Sequence, residues 1–298
     1  MKKRIVFVII DVLIVSILPD VLIKISEGFV PGWVPFAKIF ISLGMVLICI
    51  SVKEFKQLLN FAIVLFTISL LQVLIPLVST TAEWKSAFNV KTFVGNFSSA
   101  ILLKLIGIIP LIGVLLFTLK SVKAFYLCKG DMTVKADEIH WLGIKKNWVN
   151  WGKLSFISAV LISLGTILLT IITVTGNSNI KGFDQLLYYL PVIVLFALIN
   201  SFCEGVLFRS TILGTLKSVL PKKYVIIIAA IFFGIAHYYG APGGVLGVFM
   251  SILLGWFMCR SMFETNGFLS SWIIHFMQDI VIFSTIFQLG GYQKIKCN

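Results

Sequence analysis

Residues 186–216 read LLYYLPVIVLFALINSFCEGVLFRSTILGTL. The run exceeds the roughly 20 residues that carry a helix across about 30 Å of hydrocarbon. Near its middle stand Glu204 and, five residues on, Arg209. An ionisable side chain at the centre of a spanning helix costs about 2.5–3.5 kcal/mol on insertion scales, so each one is a functional hypothesis by default. This stretch therefore predicts both a membrane helix and a site.

The rest of the chain has the same character. It has 298 residues, 59% hydrophobic and 12% charged, with a mean hydropathy of +1.04, whereas a soluble domain is nearer a quarter charged. Apolar runs near 5–24, 33–52, 57–79, 99–119, 155–176, 186–216, 224–240, 244–263 and 267–289 predict an all-α, polytopic transmembrane helix bundle of about eight to nine spans. The first is the weakest, since it holds Asp11, Pro19 and Asp20. Met1 to Arg4 followed by an apolar stretch resembles a signal peptide, but no small-residue cleavage site closes it, and it is read as a retained helix.

We divide the chain at 154. Residues 1–154 are N-terminal spans ending in a basic loop, and 155–298 are a second group carrying the polar motifs, the two forming one membrane unit. The loop, 120–153, holds seven lysines together with Trp148 and Trp151 and reads as a strip on the cytoplasmic headgroups. The net charge of +13 lies mostly between apolar runs, with no basic stripe interleaved with aromatics. It fits positive-inside topology and membrane lipids as partners, and excludes nucleic acid. The five cysteines show no C-x-x-C spacing and read as unpaired thiols. No internal repeat supports a two-fold transporter.

Ionisable residues within the spans concentrate late in the chain. Glu204, Arg209, His237, His275 and Asp279 fall between 186 and 289, whereas the earlier spans contribute Asp11, Lys38 and Lys104. The two lysines are long enough to snorkel to the headgroups, which gives them a structural reading. Counted from the basic turn at Leu216 to Lys223, Glu204 lies roughly 18 Å and His237 roughly 20 Å into the bilayer, and counted from about Gly267 on the same side His275 and Asp279 lie at roughly 12 and 18 Å. His275 and Asp279, four apart, share one helix face. Groups at such similar depths on successive helices can meet.

A buried carboxylate and imidazole can polarise a water, the carboxylate taking its proton while the imidazole orients it. A second imidazole with a neighbouring polar group can stabilise an oxyanion. The set suits amide hydrolysis. The same inventory is a plausible transition-metal site through Glu204, His237 and His275, with zinc the usual candidate, and composition does not separate a metal-bound water from one held by side chains. Cys203 is no obvious nucleophile, because one residue along a helix turns it about 100° from Glu204.

The motifs Glu-x-x-x-Phe-Arg at Glu204 to Arg209, Phe-Gly-x-Ala-His at Phe233 to His237 and His-x-x-x-Asp at His275 to Asp279 together resemble the CPBP intramembrane protease family, which includes the type II CAAX prenyl proteases and bacterial proteins of bacteriocin processing and self-immunity. The resemblance covers about 186–289. It implies an intramembrane endopeptidase, glutamate- or metal-dependent, acting on a peptide or protein substrate that can be lipidated, in the bacterial cell membrane. It makes Glu204 the base, His237 its partner, and His275 with Asp279 the oxyanion or ligand pair. Arg209 and Phe233 become structural or substrate-orienting residues. The family usually has a second glutamate beside the first and a glycine after the arginine, where this chain has Gly205 and Ser210. That departure supports an alternative, a non-catalytic relative serving as a bacteriocin-immunity or binding protein.

Overall fold

The computed structural model describes residues 1–174 and 182–289. Residues 175 and 176 of the expected fifth span, and Cys297, lie outside them. Apart from two isolated bridges in one loop, the described secondary structure is helical: α1 (Lys2–Val15), α2 (Leu18–Glu27), α3 (Val34–Ser51), α4 (Leu59–Thr80), α5 (Ala82–Ala87), α6 (Phe93–Leu119), α7 (Trp151–Val174), α8 (Phe183–Glu204), α9 (Thr211–Leu216), α10 (Lys222–Ala236), α11 (Gly244–Thr265) and α12 (Leu269–Gln288). Among the described residues, eight helical stretches are long and apolar enough to cross a membrane, or nine if the bent pair α1–α2 is one span. Large apolar side chains such as Phe40, Phe117, Leu164 and Phe249 face outward, as lipid-facing residues do. The chain is an all-α, polytopic integral membrane protein.

The expected first span is broken. α1 and α2 meet at 56°, because Ser16 is extended and Pro19 occupies the first turn of α2, where its missing N–H is harmless. The lysine of α3 does not snorkel either. Lys38 is buried, ion-paired with Asp20, and its Nζ also donates to the Ser16 carbonyl at 2.9 Å. It pins the bend to α3.

The basic loop between α6 and α7 is tied to the bundle by one of its tryptophans. Trp148 is exposed, but Trp151 is fully buried and opens α7. Its Nε1–H donates to Glu264 Oε2 at 2.9 Å, the Asp137 backbone N–H donates to the same oxygen at 3.0 Å, and Arg260 Nε donates to Glu264 Oε1 at 2.8 Å. With Lys222 Nζ also donating to Oε1 at 3.2 Å, one carboxylate on α11 gathers the loop and two cations, since an acceptor-only group with several lone pairs can serve several donors. At Gly130, with φ +75°, a Cβ would stand 2.7 Å from Gly267 Cα, so the loop backbone lies against the α11–α12 turn as only glycine permits.

One apolar core runs through both halves of the chain and includes Phe7, Leu65, Leu115, Val206, Phe232 and Met262. α12 packs on α7, α8 and α11, and α6 lies against α8. These neighbours bring α6, α8, α10 and α12 to one polar site.

Candidate active site

Glu204 is the last residue of α8, and Gly205–Ser210 continue as a π-helical turn into α9. Such wide turns, hydrogen-bonded from i to i+5, recur at functional sites. Along an α-helix, five residues would leave Arg209 about 140° round from Glu204. The wider turn brings it back toward the same side, where Arg209 is fully buried and its Nη2 lies 3.3 Å from His275 Nδ1. At Gly205, a Cβ would stand 2.4 Å from the Phe268 ring and 2.7 Å from Arg209 Nη2. The room that a second carboxylate would need at this position is already filled by ring and guanidinium.

His237 follows the last residue of α10, where the helix passes into a 3-10 turn. Final-turn carbonyls of a helix lack intrahelical N–H partners. The backbone N–H of His237 turns to Gly234 and Ile235, and the Phe233 carbonyl lies 2.8 Å from His237 Nδ1 instead. Phe233, only 1% exposed, packs its ring at 4.3 Å from the His237 ring, edge-on at 5.4 Å to His275, and 5.5 Å from the Arg209 guanidinium carbon. It is a wedge that sets the spacing of three polar side chains.

The four residues expected to form the site come together. Glu204 Oε2 lies 3.5 Å from His275 Nε2 and 3.8 Å from His237 Nε2, and His275 Nε2 lies 3.6 Å from Asp279 Oδ1. His275 and Asp279 are buried, while the His237 side chain keeps 26% of its surface and is the accessible member.

The partners of each imidazole assign its proton. A backbone carbonyl only accepts, so His237 Nδ1 carries a hydrogen, and in the neutral ring Nε2 turns a lone pair toward Glu204. A guanidinium only donates, so His275 Nδ1 accepts and Nε2 carries the hydrogen. Around Glu204 Oε2 the site thus presents one imidazole as acceptor and one as donor. Oε2 itself is buried without a hydrogen-bond partner, as are Nε and Nη1 of Arg209.

Two further residues belong to the site and escaped the sequence reading. Lys104 on α6, expected to snorkel, instead donates from Nζ to Glu204 Oε1 at 2.6 Å and to Asn200 Oδ1. Asn200 Nδ2 in turn donates to Asp279 Oδ2 at 2.9 Å. Asn200 is uncharged and so drops out of any census of ionisable groups, although its place one helical turn before Glu204 puts it on the same face.

A metal does not suit this donor set. Among the described residues no group of three His, Cys, Asp or Glu side chains is arranged to hold one. Arg209 keeps the proton on His275 Nε2, the nitrogen that faces Glu204, whereas a ligating nitrogen must offer a lone pair. Lys104 already occupies the other Glu204 oxygen.

Residues 186–281 match the family model described as Rce1-like, type II CAAX prenyl endopeptidase. The match takes in all three motifs and bears out the resemblance drawn from them, and at family level it supports an intramembrane protease of the CAAX type acting on a peptide or protein. No curated protein matches the chain, and no solved structure does.

Proposed function

We propose that the protein is an intramembrane endopeptidase of the glutamate type, hydrolysing a peptide bond with water activated by Glu204 and His237. The observation that carries this reading is the placement of Glu204 Oε2 between two imidazole nitrogens of opposite character, at 3.5 and 3.8 Å, on three separate helices. Glu204 Oε2 and His237 Nε2 are both acceptors, and the gap between them is one that the two O–H groups of a single water, each wanting about 2.8 Å, can bridge. Glu204 takes the proton as the oxygen attacks the carbonyl carbon, and that proton passes to the leaving nitrogen as the C–N bond breaks. His275 Nε2–H donates to the carbonyl oxygen as it becomes negative. Asp279 holds the His275 ring from one turn away, Arg209 keeps the donating proton on the working nitrogen, and Phe233 fixes the ring spacing. The substrate is a membrane-adjacent peptide, lipidated in keeping with the CAAX type, and the setting is a bacterial cell membrane.

The test is a peptide-cleavage assay on purified protein in detergent or proteoliposomes, wild type against Glu204→Gln and His237→Ala. Each variant is expected to lose about 10²–10⁴-fold in turnover while inserting normally, and wild-type turnover is expected to survive a strong chelator. Wild-type rates in either variant would remove the mechanism, and chelator-sensitive turnover would transfer it to a metal.

Gly205 favours a second reading, a non-catalytic relative whose role is binding or bacteriocin immunity. It requires no turnover by the wild type, and protection or partner binding that persists when His237 and His275 are both replaced.

A further inference from the structure

Lys104 lies outside the stretch that matches the protease family, on a helix whose sequence gives no hint of chemistry. Its side chain keeps 42% of its surface. It nonetheless holds Glu204 Oε1 and Asn200 Oδ1 together.

The consequences follow from the donor inventory. An ammonium has donors only. By occupying Oε1 it leaves Oε2 as the one glutamate oxygen facing both imidazoles. By claiming Asn200 Oδ1 it also settles which way that amide points: the NH2 must face the other way, where Asp279 Oδ2 accepts at 2.9 Å. Asp279 then stands 3.6 Å from His275 Nε2, which is itself 3.5 Å from Glu204 Oε2. The contacts form a ring that begins and ends on the two oxygens of one carboxylate, with Lys104 the only member from the N-terminal half.

We infer that Lys104 and Asn200 are positioning residues of the active site, Lys104 fixing which oxygen of Glu204 works and, through the Asn200 amide, the seat of the Asp279 carboxylate. The inference rests on the reading of Glu204 as the base. It also gives the N-terminal spans a catalytic purpose: α6 delivers the cation that orients a base carried on α8.

The experiment compares peptide cleavage by wild type, Lys104→Ala, Lys104→Arg and Asn200→Leu in detergent, with thermal unfolding of each, and adds ethylammonium to Lys104→Ala. Lys104→Ala is expected to lose about 10–100-fold in kcat, as removal of residues that orient others does, with KM little changed. Ethylammonium should restore part of the loss in Lys104→Ala and none in Glu204→Gln. Lys104→Arg should keep more activity than Lys104→Ala, and Asn200→Leu should lower kcat even if Lys104→Ala does not fold. Wild-type kcat in Lys104→Ala or in Asn200→Leu would overturn the inference, and so would a folded Lys104→Ala whose loss the amine leaves untouched. Absence of cleavage by the wild type would instead remove the protease reading, so the two failures are distinguishable.

Discussion

Two lysine–carboxylate pairs among the described residues, Lys38–Asp20 and Lys104–Glu204, are built differently. Lys38 and Asp20 form a closed pair, the lysine side chain only 5% exposed and its Nζ also serving the Ser16 carbonyl. Lys104 and Glu204 form an open pair, the lysine 42% exposed and the glutamate with one oxygen held and the other facing two imidazoles. The closed pair satisfies its charges where the chain bends. The open pair leaves polar capacity unused in a region where such capacity is costly. That contrast separates an anchor from a site better than the presence of charge does, since both pairs are equally conspicuous in an apolar sequence.

The contrast can be broken from either side. After Glu204 and His237, the largest effect is expected from His275→Ala, which removes the donor facing the carbonyl oxygen and should lower turnover of the folded protein about 10²–10³-fold, read in the cleavage assay. Next, Lys38→Met alone strands Asp20 in the bundle and should destabilise by about 3–5 kcal/mol, the range for breaking a buried pair. The double variant Asp20→Leu with Lys38→Met should recover most of that, and the folded fraction should cleave at the wild-type rate. A loss of turnover in folded Lys38→Met would erase the distinction between anchor and site.

Gly205→Ala sharpens the comparison at the open pair. The new methyl meets Phe268 and Arg209, so a loss of about 1–3 kcal/mol is expected from overpacking, and Gly205→Glu should not raise turnover. The smallest effect is at Asp11, which is completely buried with both carboxylate oxygens unpartnered. Asp11→Asn should leave turnover unchanged and shift the unfolding temperature little, because the carboxyl makes no hydrogen bond that the amide would forfeit.

The spans were legible because the bilayer demands about 20 apolar residues per crossing, and residues 186–216 meet that demand without help from any partner. The break after Val15 was only hinted at by Pro19 and two aspartates, because a bend depends on what the chain packs against. The inward turn of Trp151 is hidden from the sequence for a similar reason. Trp151 is drawn inward by Glu264, more than a hundred positions away, and nothing local to the loop records that pairing. The four site residues were readable because charge is rare enough in these helices to stand out. Lys104 was visible but assigned to snorkelling, since a lone lysine does not announce its partner on another helix. The opposite protonation of the two histidines was not readable at all, because it is set by the Phe233 carbonyl and the Arg209 guanidinium in three dimensions.

Those two protonation states can be observed directly, because the chain has only three histidines and the third, His140, lies in the exposed loop. The imidazole 15N chemical shifts of selectively labelled protein, assigned with His→Gln variants at neutral pH, report which ring nitrogen carries the hydrogen. His237 is expected to be protonated on Nδ1 and His275 on Nε2, with Arg209→Met removing the preference at His275 alone. Both rings protonated on the same nitrogen, or a His275 indifferent to Arg209, would contradict that assignment.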